Sequence, residues 1–374
     1  LEALRALAFL GVLLQHIIGP YIRMPGVSLP DAIMLGLIFN IIKFAVPTFV
    51  FITGIVLLHN YYERVHYPRF IKKRAAEIFF PYVIWSVIYF ISYHGIPGSG
   101  TASFRELGKS IASGSASYHL WFVVMIFQFY LLYPVLLALF KGARSWISSS
   151  KGRFAGVLGI CGILYGALMW FSHTYIPEHD FHFGSQIVQL LLVEFRDRTF
   201  LYYLFYFILG GIAGVAMLRW RRLVIQSVPW NVLIFTGFFI WIGYELMAQA
   251  PGGKIGIGIS TSLKPSMFLY TVSEIVLLYG LSLCILKNNP VLYRVLRFIG
   301  RYSFGAYLVH ALTLTYIMKW LRPFDYFTSQ VIPAVFFCFC PECNVLAGRY
   351  VSHQPPSFRE MAHRIDRKKE AACP

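Results

Sequence analysis

Acidic residues are scarce. Asp and Glu number 16 in 374 residues, and all charged residues together make up 13% of the chain. A soluble globular domain carries roughly 25% charged residues, so a fully water-facing surface is excluded. Cysteine is also rare. Cys161 and Cys284 sit in apolar stretches, and Cys338, Cys340, Cys343 and Cys373 lie near the end, which argues against an extracellular disulfide framework. No low-complexity linker and no inverted repeat is visible. What fills the chain instead is apolar: 57% hydrophobic residues and 18% aromatics, with a mean hydropathy of +0.62, gathered in long blocks. The formal charge of +17 would suit a nucleic-acid partner. However, Lys and Arg occur in short clusters between apolar blocks, the pattern of topology signals and lipid-headgroup contacts. Membrane lipids are therefore the expected partner, and nucleic acid is not.

A helix needs about 20 apolar residues to cross the hydrocarbon core. Nine blocks approach that length, at 3–20, 33–58, 78–95, 119–140, 154–172, 200–218, 228–248, 267–286 and 303–321. A tenth begins near Phe327 and is interrupted at Pro341. The fold class predicted is all-α, a polytopic transmembrane bundle of about ten spans. The loops after the second, fourth, sixth and eighth blocks are rich in Lys and Arg (Arg64 to Arg74, Lys141 to Arg153, Arg219 to Arg222, Lys287 to Arg301), whereas each intervening loop holds one or two. This alternation puts the N-terminus and the 59–77 loop in the cytoplasm. The first block lacks a small-residue cleavage site and reads as a span rather than a signal peptide; a few cytoplasmic residues are expected ahead of Leu1. Residues 1–340 form one membrane domain, followed by an atypical basic tail, 341–374, expected to be poorly ordered. Cys340-Pro-Glu-Cys343 has no second ligand pair at zinc spacing, so no metal is expected. The basic end, Arg364 to Lys369, suits a cytoplasmic membrane surface. On the outer side, 94–118 is rich in Gly and Ser, and 173–199 carries His173, Glu178, His179, Asp180, His182, Glu194 and Asp197. Such loops can face a polar acceptor, and ordinary solvated loops have the same composition.

Two ionisable residues stand out on the first helix. Arg5 and His16 are 11 residues apart, which returns to within about 20° of one face after three turns, at a rise of about 16.5 Å. Lipid solvates neither side chain, so both are expected to point into the bundle. A guanidinium at the cytoplasmic edge can hold a phosphorylated donor by paired hydrogen bonds. An imidazole deeper in can take a proton from an attacking hydroxyl. The alternative is structural: an arginine snorkelling to headgroups and a histidine bonded to a neighbouring helix.

Several segments then resemble, in order, the membrane-bound acyltransferase 3 family. The opening Leu1-Glu-Ala-Leu-Arg-Ala-Leu-Ala resembles its LDGLRGLA start, and Arg5 and His16 match its Arg-x10-His motif. Phe44-Ala-Val-Pro-Thr-Phe-Val-Phe-Ile-Thr-Gly54 resembles VPLFFFISG, and Phe70 to Pro81-Tyr82 resembles a basic FxxRRxxRIxPPY loop. Tyr118-His-Leu-Trp-Phe122, Tyr206-Phe-Ile-Leu-Gly210 and Ser303-Phe-Gly-Ala-Tyr-Leu-Val-His310 resemble HLWF, YFLLG and SFGIYLIHP. The resemblance covers about residues 1–320 and departs at Glu77, where the family's basic loop has arginine.

The resemblance implies transfer of an acyl group, acetyl or another short acyl, from acyl-CoA to a hydroxyl of a cell-surface or exported saccharide. It implies no bound cofactor, with acyl-CoA acting as the donor substrate. It implies a multi-pass protein of the bacterial plasma membrane. It assigns donor phosphate binding to Arg5 and the general base to His16. Lys72, Lys73 and Arg74 offer a cationic cluster for the donor's phosphates, which equally serves as a topology signal. Lys43 is a cation within the second span. His119 and Trp121, at the outer start of the fourth, can line an acceptor site or anchor the interface. His310 is assigned to helix packing, and Pro47 and Gly54 to kinking or thinning the second span. Two other classes compete: a transporter or flippase of a glycan or lipid precursor, and a sensor on an inactive acyltransferase fold.

Overall fold

The computed structural model describes residues 1–23, 27–96, 101–147, 151–248, 261 and 263–321. Among them every regular element is helical. The predicted tenth span and the 341–374 tail lie outside the described residues.

The chain opens with α1 (Glu2–Ile22), α2 (Leu29–Ile41), α3 (Ala45–Tyr61) and α4 (Tyr67–Arg74). It continues through α5 (Phe80–His94), α6 (Thr101–Ser113), α7 (Trp121–Leu131), α8 (Tyr133–Ile147) and α9 (Lys151–Trp170). Two short helices follow, α10 (Ile176–His179) and α11 (Gln186–Gln189). Then come α12 (Leu204–Val215), α13 (Met217–Ala248), α14 (Pro265–Asn288) and α15 (Pro290–Leu321). Among the described residues six stretches are long and apolar enough to cross a membrane: Glu2–Ile22, Leu29–Tyr61, Tyr67–His94, Gly152–His179, Met217–Ala248 and Pro265–Asn288. The pair α7–α8, bent by 58°, makes a seventh if it is one span. The chain is thus a multi-pass membrane protein.

All nine predicted blocks fall on helices. The basic stretches expected as loops differ: Arg219 to Arg222 open α13, Arg294 to Arg301 lie inside α15, and Lys141 and Arg144 belong to α8. Lys and Arg are good helix formers whose long stems reach headgroups while the backbone stays helical.

Prolines set the irregularities. Pro47 has no N–H, and its ring crowds the carbonyl four residues back, which is that of Lys43. The helix breaks there. Ile42 to Phe44 form a turn in which the Lys43 N–H donates to the Asn40 carbonyl at 3.2 Å and Ala45 N–H to Ile42 at 3.4 Å. The kink expected at Pro47 therefore falls one turn upstream and splits the second span into α2 and α3. Pro81 and Pro177 each follow a π-helical turn, Ala75–Phe79 and Phe171–Tyr175, where wider i→i+5 bonding accommodates the missing donor.

Glycine sets the tightest contacts. On α12, Gly210 and Gly214 lie directly on the backbone of α3. A Cβ on Gly210 would run into the Phe51 carbonyl oxygen, and one on Gly214 would lie 2.6 Å from that of Ile55. Gly54 of α3 meets the Phe207 carbonyl in return. This is the small-x3-small packing by which helices approach closely in lipid. α15 uses the same device: Gly300 sits on the Glu2 carbonyl, beside a 3.0 Å ion pair between Glu2 and Arg297. α2, in contrast, packs on α13, where Gly36 faces Leu246 and Gly243 faces Leu37.

Gly210→Val is expected to destabilise the protein by about 1–3 kcal/mol or more, the cost of overpacking. Gly166→Val, where nothing lies within 4 Å of a Cβ, should change little. Thermal unfolding of the two variants in the same detergent checks this.

Candidate active site

The polar side chains of the bundle gather at three levels along α1. At its N-terminal end Arg5 is half-buried and lies within electrostatic reach of Arg74 and Tyr130. Among the described residues Arg5 has no carboxylate within ion-pair distance. Glu2, an acid within electrostatic reach of it, is paired with Arg297 at 3.0 Å. Arg74 packs over Tyr130, Phe70 and Tyr61, at 5.4, 5.5 and 5.9 Å from the ring centroids. Its Nη1 donates to Glu77 Oε2 at 3.3 Å, while its Nε is buried without a partner. Glu77 also reaches Lys73 at 3.8 Å. The acid that departs from the family's basic loop thus engages two of its three cations. Lys72 stays exposed on α4.

Three turns along α1, His16 meets two further histidines. Its ring is stacked on that of His310, with centroids 5.1 Å apart and an interplanar angle of 28°. His119 lies 6.5 Å from His16 and 4.6 Å from His310, and Tyr118 lies 4.7 Å from His16. These residues come from α1, from the turn before α7 and from α15. Tyr307 ties the last two together by donating its hydroxyl to the His119 carbonyl. His310 Nδ1 sits 2.6 Å from the Tyr307 carbonyl, an acceptor only, so Nδ1 carries the proton. In the neutral ring that leaves Nε2 as the bare nitrogen. His119 Nδ1 contacts Ser117 Oγ at 3.2 Å. Both Nε2 atoms, on rings 0% and 1% exposed, lack a hydrogen-bond partner. Unsatisfied buried polar atoms of this kind cost about 1–3 kcal/mol each, a cost that a hydroxyl-bearing ligand can relieve.

Between these levels lies the α2–α3 break. The Gln15 side chain donates to the Ile42 carbonyl, docking the break one residue before His16. Lys43 sits over the Phe39 ring at 4.0 Å and within electrostatic reach of His16.

Arg5 and His16 therefore share a helix face at separate levels, as their spacing predicts. Of the proposed acceptor residues His119 joins His16, and Trp121 does not. Trp121 stacks toward Tyr203 at 6.2 Å, against the Gly114 turn, where Gly114 has φ of +71°. His310, read from sequence as a packing residue, is brought into the cluster. Tyr118 is an unforeseen neighbour, although it begins the same HLWF-like segment. No group of three or more residues suited to hold a metal occurs among the described residues.

The acyltransferase domain model matches residues 1–341. The chain belongs to that family. It is a membrane acyltransferase. A Bacillus subtilis protein named "Putative membrane-bound acyltransferase YfiQ" is 26% identical over 340 residues, covering 90% of this chain and 86% of that protein. A Staphylococcus aureus (strain MRSA252) protein named "Probable poly-beta-1,6-N-acetyl-D-glucosamine export protein" is 24% identical over 292 residues, covering 76% and 73%. The equivalent protein of strain Mu50 is 23% identical over the same length. No solved structure matches.

His310→Ala is expected to lower acyl transfer about 10²-fold, the low end of the range for acid–base groups. Trp121→Phe should stay within about twofold. Initial rates in membranes containing matched amounts of each variant check the contrast.

Proposed function

We propose that this acyltransferase moves a short acyl group from acyl-CoA to a hydroxyl of a cell-surface or exported saccharide, in the bacterial plasma membrane. The donor's phosphates bind at the Arg5 end, and the acceptor hydroxyl is activated at His16. The observation that carries this reading is the pairing, on one helix face, of a cation that forms no ion pair among the described residues and a histidine set beside two buried imidazoles with unpartnered Nε2 atoms. A guanidinium so placed binds a phosphate through paired hydrogen bonds. Arg74, within reach of Arg5, adds to the anion site, and Lys72 and Lys73 extend it outward.

The chemistry balances within this frame. The acceptor oxygen attacks the thioester carbonyl carbon and His16 takes the hydroxyl proton. The C–S bond breaks, and the proton on His16 passes to the departing sulfur. His119 and His310 frame the acceptor hydroxyl through their unpartnered Nε2 atoms. Support for a saccharide acceptor comes from the names of the staphylococcal relatives, which concern a polysaccharide. Support for an orientation with the N-terminus inside comes from the basic stretches, and the helix directions are consistent with it: Gly300 meets Glu2 while His310 meets His16, so α1 and α15 run in parallel.

Export is the second reading. Those relatives are named for it, and the discontinuous second span is of the kind that transporters place around a substrate. Membranes incubated with labelled acyl-CoA and a surface polysaccharide separate the two, since a labelled ester forms only in the first. His16→Ala is expected to reduce ester formation by about 10²–10⁴-fold, the range for a general base. Arg5→Ala should raise the KM for acyl-CoA more than it lowers kcat. Full activity of the His16 variant would overturn the assigned role.

A further inference from the structure

A carboxylate lies deep in the bundle with no part in the site as described above. Glu274, on α14, is 3% exposed, and neither carboxylate oxygen has a hydrogen-bond partner. It lies within a stretch apolar enough to span the membrane. Charged side chains at such depth are costly, face the interior, and serve a function by default.

What faces Glu274 is the α2–α3 break. The Tyr270 hydroxyl, one turn before Glu274 on α14, donates to the Asn40 carbonyl at 3.2 Å, which sets this part of α14 against the break, and Lys43, Phe44 and Tyr206 lie within electrostatic reach of Glu274. Lys43 is not within 4.0 Å, so the two side chains do not close into an ion pair. The surrounding polar groups are also left open. Asn40 is fully buried with both side-chain polar atoms unpartnered, and Thr48 Oγ1, Thr271 Oγ1 and Tyr206 Oη are unpartnered as well. Four helices, α2, α3, α12 and α14, contribute these atoms. Buried polar atoms are nearly always paired, with protein or with ordered water. So many open ones, beside a buried carboxylate and the lysine of the break, set this region apart from the apolar core around it.

The charges that can act on Lys43 come from three sides. Lys264 at the start of α14 repels it but is itself paired with Glu245 of α13. His16 of α1 lies on the reaction side. Glu274 is the one carboxylate among the described residues that acts on Lys43. An ammonium in a low-dielectric interior stays charged only at high cost unless a counter-charge offsets its lost hydration.

We propose that Glu274 is a positioning residue of the transfer site. From α14 it holds Lys43 as an ammonium beside His16, where that ammonium meets the negative charge that develops as the thioester carbonyl is attacked and the sulfur departs. Lys43 touches the reacting group, and Glu274 acts through Lys43. The proposal rests on the acyl-transfer reading and adds to it a residue that no motif marks. Electrostatic stabilisers of a developing oxyanion act on kcat, because their interaction strengthens in the transition state.

The test is a cycle of Lys43→Gln, Glu274→Gln and the double variant, with Glu274→Asp alongside. Each is assayed in membranes for ester formation from labelled acyl-CoA, with protein amount and thermal stability measured in parallel. The expected result is a fall in kcat of about tenfold to a hundredfold for each single variant. KM for acyl-CoA should change less than about threefold. The double variant should be no slower than Lys43→Gln alone, because Glu274 has no role once Lys43 is gone. Glu274→Asp, which keeps the charge, should recover a large part of the loss. Full kcat in Glu274→Gln, or losses that multiply in the double variant, would overturn the proposal. So would a Lys43→Gln protein with unchanged kcat. If Glu274→Gln does not accumulate, the comparison of Glu274→Asp with wild type decides: a well-folded Asp variant whose KM for acyl-CoA rises while kcat is unchanged would mean a binding role instead and would overturn the proposal. Absence of ester formation by the wild-type protein would strike the acyl-transfer reading itself, and is told apart in this way.

Discussion

Hydrocarbon does not solvate charge, and this one cost arranges the molecule. Arg5, His16, Lys43 and Glu274 are all carried by apolar helices, and each is turned away from lipid into the bundle. For the bundle to enclose them, its helices must approach closely on the other sides. The glycine contacts between α3 and α12, and between α1 and α15, supply that closeness. They bring α1, α3 and α15 near enough for imidazoles from separate helices to stack. The functional groups and the small residues are two halves of a single solution: the glycines draw the walls together around the polar interior.

Much of this was legible in the sequence. The apolar blocks coincide with helices because about 20 residues of hydrocarbon length leave few alternatives to a helix. The shared face of Arg5 and His16 follows from 11 residues at 100° each. The glycines of the two family-like segments, Gly54 and Gly210, pack against each other's helices, so those segments encode a contact as much as a site. The break was half legible. Pro47 announced it, and its position at Lys43 follows from where a proline ring crowds the preceding turn.

The rest depended on tertiary contact. His310 sits in a dense apolar stretch, where one histidine reads as a packing residue, and only the approach of α15 to α1 reveals its place beside His16. Glu274 did leave a signal, a lone acid inside an apolar block. Its partner lies 231 positions away in the numbering, and no periodicity links the two. Trp121 failed in the other direction: it neighbours His119 in sequence, but the turn at Gly114 and the start of α7 send the two side chains to different helices. The extension of α13 and α15 through their basic stretches was hidden because charge density marks a membrane boundary without marking the end of a helix.

The break in the second span has a mechanical consequence. Its first half, α2, is packed on α13 through Gly36 and Gly243, and its second half, α3, is packed on α12 through Gly54, Gly210 and Gly214. One membrane crossing is therefore clasped by two different neighbours, with only the turn from Ile42 to Phe44 between them. Any sliding of α13 relative to α12 must be taken up in that turn. Lys43 sits at its centre, which makes this residue the point where displacement of the outer helices becomes displacement of charge.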